Sequence, residues 1–377
     1  MGGLSDYAYI NSRIHALMAK LLAPDFFEKL LKSASLEEAL YMFQSTDFNF
    51  IPKTYSRTGD LKIVEKELIT FLYQDVIKLQ KHSPAILIPL VKALSERSRY
   101  SAFKTALRLW FDQSFRKRSI SDYTEYIPRD IPLEGVSYDS IINASNTESL
   151  TEHLRTTPYA CVIQELEKIS ESGNLLRCEI ILENSYYKYL YNTVISYSLS
   201  TCSTLFAKIH FYNNFANMQY SSSCLCNSLN LFHSDKNTDL KLLLEQDIDM
   251  INLGRLVRLS NIVSPESQNI LYIPGGNRII ESDFINDNRP STAEILNRFS
   301  LSSMTDKLTK LEQHELHAYI KQSIQQKTIN FYTRVKTRSL FDESLAFVYI
   351  RLRENEISRI ISTLNTLHYT ANIHGGN

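Results

Sequence analysis

The sequence predicts an all-α protein built from a helical unit that is used more than once. Apolar residues recur every three or four positions through most of the chain, the period of one helix face. Glycine and proline number only 10 each in 377 residues, which argues against a β-sandwich or a glycine-looped α/β enzyme. A unit of about 110 residues appears twice, with a weaker third copy behind it, and a fixed period marks one supersecondary unit repeated.

The copies share a series of anchors. In the first, Leu36-Glu37-Glu38-Ala39-Leu40 leads to Thr46-Asp47-Phe48, a helix with Glu65, Leu68 and Leu72, and then Leu107-Arg108. In the second, Thr147-Glu148-Ser149-Leu150 leads to Thr157-Pro158-Tyr159, a helix with Glu179, Leu182 and Tyr186, and then Val257-Arg258. The match is loose, and its spacing stretches toward the last pair. Arrays of this kind commonly build surfaces for other proteins.

Each element follows from its local pattern. Tyr7, Ile10, Ile14, Leu17 and Leu21 line one face of a first helix near 5–22. Ser35 with Glu38 three positions on is a capping box. Leu61, Val64, Leu68, Leu72, Val76 and Leu79 form a second long stripe. Pro84 and Pro89 interrupt it, and a helix follows over 90–115. Pro128, Pro132 and Gly135 mark an irregular connection and the first domain boundary. Helices near 148–155 and 160–172 follow, the latter stopped by Gly173-Asn174, then a tyrosine-rich helix over 175–200.

The Ser, Asn and Cys-rich stretch from Met218 to Asp239 reads as a loop or an insertion. A helix resumes over 240–262, Pro274-Gly275-Gly276-Asn277 is a turn, and Asp287-Asn288-Arg289-Pro290 opens a third region with helices near 291–300, 304–333 and 340–366. Three domains result, at 1–127, 128–286 and 287–377.

Composition narrows the function classes. Lys plus Arg equals Asp plus Glu at 41 each, so no global field attracts polyanions. The cysteines Cys161, Cys178, Cys202, Cys224 and Cys226 form no Cys-x-x-Cys and suggest reduced thiols rather than a disulfide framework. The opening Met1-Gly2-Gly3-Leu4-Ser5-Asp6 has no apolar signal region and misses the myristoylation pattern at Asp6. The longest apolar run, Ala85 to Val91, is far short of a bilayer span. A cytoplasmic chain without a transmembrane segment is expected.

Catalytic signatures are missing. Gly275-Gly276 lacks the rest of a phosphate loop, and Cys224-x-Cys226 has the wrong spacing for zinc. His314-Glu315-Leu316-His317 is not His-Glu-x-x-His and has no third ligand nearby. No Gly-x-Ser-x-Gly elbow occurs. No cofactor, metal or small-molecule substrate is expected.

Two carboxylates stand among apolar residues. Glu356 falls on the stripe Leu345, Leu352, Ile360, with Arg353 and Arg359 three residues to either side; Asp249 shares a face with Asn252, Leu253 and Leu256, and Arg258 follows. A buried carboxylate must find a partner or neutralise. Each is either a structural ion pair or cap between helices, or a polar anchor at an interface. The segment Arg97, Arg99, Lys104, Arg108, Arg116, Lys117, Arg118 interleaves cations with Tyr100, Phe103, Trp110 and Phe115. Aromatics on a buried side and cations on a wet side explain this pattern without nucleic acid. Anionic headgroups or acidic loops of a membrane partner are the other readings.

Several segments, in order, resemble one family. Tyr7-Ala8-Tyr9-Ile10-Asn11-Ser12-Arg13-Ile14-His15-Ala16-Leu17 is similar to the opening of the C subunit of V/A-type rotary ATPases, counterpart of the eukaryotic d subunit. The resemblance continues through Leu36–Leu40, Thr157-Pro158-Tyr159, Asp249-Met250-Ile251-Asn252-Leu253-x-x-Leu256-x-Arg258, Gly275-Gly276, and Tyr349-Ile350-x-Leu352-x-Glu354-x-Glu356-Ile357. In the first unit, Arg99-Tyr100-Ser101-Ala102-Phe103 stands where the family has Asp-x-x-Asn-Leu, so that polar anchor is expected to be lost.

The resemblance implies three similar helical domains arranged as a funnel with pseudo-threefold symmetry. It implies a non-catalytic socket on the cytoplasmic face of the membrane, linking the central shaft of D and F subunits to the proteolipid ring and passing torque. Tyr7, Tyr9, Asn11, Arg13, Asp249, Asn252, Arg258, Glu354 and Glu356 are the structural or interface candidates. A helical-repeat adaptor unrelated to ATPases fits the same pattern. An enzyme would require a pocket that gathers Glu356 or Asp249 with a His.

Overall fold

The computed structural model describes residues 4–200, 238–258, 270–284, 326–335 and 343–374, with isolated positions between 290 and 299 and at 323. Residues 218–237 of the polar stretch, Asp287–Arg289, His314, His317, Cys202, Cys224 and Cys226 lie outside the described residues. Every regular element among the described residues is helical, and none is a strand. The protein is all-α.

The first helices are α1 (Leu4–Met18), α2 (Pro24–Leu31), α3 (Leu36–Tyr41), α4 (Phe50–Thr58), α5 (Leu61–Lys81) and α6 (Ile88–Ser114). Pro24 sits in the first turn of α2, where its fixed φ suits the helix and its missing N–H is no loss. Ser35 caps α3 by accepting from the Glu38 N–H, and the Glu38 carboxylate reaches back to the Ala34 N–H at 2.7 Å. The capping box therefore closes one residue further out than the sequence pattern places it. Gly59, at φ 67°, ends α4 in the left-handed region, and Asp60 caps α5 through the Lys62 N–H.

Then come α7 (Tyr138–Ile142), α8 (Thr147–Leu154), α9 (Ile163–Glu167), α10 (Ile169–Ser172) and α11 (Leu176–Ser200). The single helix expected over 160–172 is instead a 3-10 turn at Pro158–Val162 followed by two short helices. Pro158 opens this run, and Lys168 leaves helical geometry between its two parts. Later helices are α12 (Thr238–Arg258), α13 (326–335) and α14 (Ser344–His374).

The repeat is visible atom by atom. The Thr46 hydroxyl donates to Phe43 O at 2.8 Å and accepts from the Phe48 N–H at 3.1 Å. The Thr157 hydroxyl donates to Leu154 O at 2.8 Å and accepts from the Tyr159 N–H at 3.2 Å. Phe48 and Tyr159 are both fully buried. Upstream, Asn146 caps α8 as Ser35 caps α3; downstream, Gly173-Asn174 precedes α11 as Gly59-Asp60 precedes α5. Ser291 and Glu294 form a reciprocal capping box.

Packing divides the chain into two units, Met1–Tyr186 with Tyr332–Asn377, and Tyr187–Phe331. These boundaries do not coincide with 127/128 and 286/287, for two physical reasons. Ile357, Ile360 and Leu364 of α14 complete the core built by Phe27, Leu40, Phe43, Phe48, Ile51, Val64 and Leu68, so the end of the chain packs with its beginning. The proline-marked connection is also packed rather than free: the buried Tyr138 hydroxyl bonds Pro128 O and Ile131 O, and Gly135 lies against Thr157.

In α1 the buried stripe is Ile10, Asn11, Ile14 and Met18, while Tyr7 and Leu17 are only half-buried. Contact with α14 rotates the buried face by about one position from the expected one.

Candidate functional site

The buried polar groups form clamps between a long helix and a loop. The tightest lies in the second unit. Asp249 of α12 accepts from the N–H groups of Asn277 at 3.1 Å, Arg278 at 2.9 Å and Ile279 at 3.1 Å. One turn on, Asn252 exchanges two hydrogen bonds with Ile273, giving to its carbonyl at 2.8 Å and taking from its N–H at 2.9 Å. Arg255 donates to Leu271 O at 2.8 Å, and Glu245 accepts from the Asn277 side chain at 2.6 Å. Residues 271–279 are thus gripped at four positions along about three turns of one helix.

The two glycines of this loop are geometric requirements. Gly275 has φ 110°, and a Cβ there would meet the Tyr191 ring at 2.8 Å. Burial pushes the Asp249 carboxyl above its ordinary range, and the three backbone N–H groups work against that rise. The sequence pattern offers Arg258 as a partner for Asp249. Its partners among the described residues are backbone amides; Arg258 ends α12, and its side chain lies outside the described residues.

In the first unit, Glu356 of α14 accepts from the Leu22 N–H at 2.5 Å and from Arg353 at 2.6 Å. Arg353, 1% exposed, also reaches Asp75 at 3.4 Å and Asp47 at 3.6 Å. Its guanidinium packs over the rings of Phe48, Phe71 and Tyr349, and the Tyr349 hydroxyl donates to Asp75. Burial raises the Glu356 carboxyl, opposed by Arg353 and the Leu22 N–H. The expected second cation, Arg359, stacks on Phe27 at 3.9 Å and meets Glu356 through its charge.

Also on α14, Glu354 is shared by Arg351 at 2.8 Å and Arg97 of α6 at 2.9 Å. Burial pushes the Glu354 carboxyl up, but the two guanidiniums outweigh it and hold the group below the usual carboxylate range.

In the first unit, Arg99 stands where the Asp-x-x-Asn-Leu anchor would begin. Arg99 binds Glu96 at 2.6 Å and the Tyr73 hydroxyl at 3.2 Å, and faces Glu134 at 3.7 Å. Glu134 lies in the loop before α7, as Gly276 lies in the loop before the 3-10 turn Glu281–Phe284.

Among the other candidates, Asn11 is buried beside Ile10 and Ile14, Tyr9 is 59% exposed, and Tyr7 and Arg13 are half-buried on α1. All four lie in the first unit, and Asp249 lies in the second. Along α6, Tyr100, Phe103 and Trp110 are buried, as their spacing predicts, with Phe103 stacked on Tyr159 at 4.2 Å. Four of the seven cations of this segment are held in separate ion pairs, Arg97 with Glu354, Arg99 with Glu96, Arg108 with Glu179 and Arg116 with Asp112. Pairing of these four reduces the positive charge that a nucleic acid would meet.

Sequence reasoning finds Glu356 and Asp249 but misses Asp75, Asp47 and Glu245. These partners come from elements remote in sequence or from an unremarked face. The Arg353–Glu356 spacing is the one usable signal. Among the described residues the partners found for the two carboxylates are Arg353 and backbone amides, and no group of three His, Cys, Asp or Glu is placed to hold a metal.

The fold and these clamps define a class: a helical-repeat protein whose buried polar residues bind its own loops to its long helices. The chain belongs to the ATP synthase (C/AC39) subunit family, whose pattern matches residues 10–209, just over half of the chain. It is similar to the C subunit of the A-type ATP synthase of Methanocaldococcus jannaschii, 26% identical over 196 residues, covering 51% of this chain and 48% of that one. It is also similar to the corresponding A-type ATP synthase protein of Methanosphaera stadtmanae, 26% identical over 188 residues, covering 49% and 45%. The chain spans about half the length of the curated relatives it matches.

Proposed function

We propose that this chain is a non-catalytic coupling subunit of a V/A-type rotary ATPase. In this reading it is a socket on the cytoplasmic face of the membrane, joining the central shaft of D and F subunits to the ring of proteolipid subunits. Membership of the ATP synthase (C/AC39) subunit family is the observation that carries the reading.

The internal construction supports it. A part that passes torque must resist shear between its helices, and packed cores braced by satisfied polar networks do so. Here the long helices hold neighbouring loops through Glu356, Arg99 and Asp249. The Glu356 contact joins residues 334 positions apart, tying the end of the chain to its start. Three such units arranged as a funnel with pseudo-threefold symmetry would receive the shaft. No helix among the described residues is long and apolar enough to cross a membrane, which suits a subunit seated on the ring.

Co-expression with D and F from the same organism, followed by affinity purification and size-exclusion chromatography, should return a stable ternary complex. A second purification with the detergent-solubilised ring should retain the chain. Failure to associate with either shaft or ring would overturn the proposal, and enrichment of soluble partners alone would favour an unrelated adaptor.

A further inference from the structure

The turn between α5 and α6 projects an apolar tip within a basic collar. Ile86 is 45% exposed and Ile88 37%, with Ala85 and Pro89 exposed beside them. Leu87, between the two isoleucines, is fully buried and pins the tip to the core. Pro84 O accepts from the Leu87 N–H at 2.8 Å and the Ile88 N–H at 3.3 Å, so the presentation is fixed by the backbone.

Along the sequence through the tip, charge has one sign. Lys78, Lys81, His82 and Lys92 are exposed, and no carboxylate occurs in the sequence from Val76 to Ser95. The bracketing carboxylates are engaged elsewhere, Asp75 with Tyr349 and Arg353, Glu96 with Arg99. Lysine is depleted at protein–protein interfaces, whose anchors are aromatic residues and arginine, and from Val76 to Ser95 there is neither. Small aliphatic side chains inside a lysine collar suit an anionic bilayer, where the apolar groups enter the headgroup boundary and the cations meet lipid phosphate.

We propose that the α5–α6 tip docks on an anionic lipid surface through Ile86, Ile88, Lys78, Lys81 and Lys92. The contact requires no ATPase partner, so its test is separate from that of the proposed function.

The full chain should co-sediment with phosphatidylcholine vesicles containing phosphatidylglycerol, not with phosphatidylcholine alone, and added salt should release it. Lys78→Gln with Lys81→Gln should weaken partitioning by roughly fivefold per lysine. Ile86→Asp with Ile88→Asp should reduce it at least as much, with an unchanged melting temperature showing that the fold persists. Absence of binding to the anionic vesicles, or wild-type binding by the folded lysine variant, would overturn the inference. Salt-sensitive binding to a purified proteolipid in neutral detergent without binding to lipid vesicles would assign the tip to protein and also overturn it.

Discussion

The Oδ1 oxygen of Asp249 occupies the space that a side chain at Gly276 would need: a Cβ there would fall 2.3 Å from it. Any larger residue must therefore push the carboxylate away from the three N–H groups it serves. Gly276→Ala should cost about 2 kcal/mol or more in urea unfolding, the combined effect of overpacking and unmade buried hydrogen bonds. The same change in an Asp249→Ala background should cost less than half as much, since the obstacle is then gone. Equal losses in the two backgrounds would refute the coupling.

Arg353 neutralises a cluster of carboxylates that otherwise repel one another inside the first unit. Arg353→Met should cost about 3–5 kcal/mol, because it leaves Glu356 and Asp75 buried without their cation. Glu356→Gln should cost less, about 1–2 kcal/mol, since an amide oxygen can still accept from Leu22. Hydrogen exchange should rise first across α14 and residues 19–23 in the methionine variant. Protection unchanged in both segments would contradict this account.

The threonine anchors offer a test of repeat equivalence. Thr46→Val and Thr157→Val each remove two hydrogen bonds of the same geometry, and each should lower stability by about 1–2 kcal/mol. Serine at either position should recover most of the loss. Thermal melts of the four variants would check it, and a loss confined to one copy would show that the two anchors are not equivalent.

Acid should act through Glu354. Its carboxyl titrates lower in the folded protein than in the unfolded chain, so its contribution is complete above the unfolded value of about 4.3 and is lost as pH falls through the folded one. Urea titrations from about pH 7 to about pH 3 should show Glu354→Gln less stable than wild type at neutral pH, with the gap closing on acidification. A gap that stays constant would mean that the carboxylate charge is not what Arg97 and Arg351 recognise.

Much of the local architecture is readable in the sequence. The Ser35 cap, the stripe from Leu61 to Leu79, the burial of Glu356 and Asp249, and the paired Thr46 and Thr157 anchors all follow from short-range patterns. The α2 helix is too short to show a long apolar stripe, although Pro24-Asp25 is an ordinary helix start. Periodicity alone runs one helix through 160–172, where Pro158 in fact leads a 3-10 turn.

What the sequence determined by itself is the all-helical class, the repeated unit and the residues that must be buried, because these depend on periodicity and on contacts within a few residues. What only the tertiary structure decided is which groups those buried residues meet. Glu356 finds Leu22 from the far end of the chain, Asp249 finds the amides of residues 277–279, and Arg99 meets Glu96 and the Tyr73 hydroxyl. A helical pattern specifies which face turns inward, but it carries no information about the element that arrives there. That choice is made by long-range packing, where each buried charge must find the partner that offsets its desolvation.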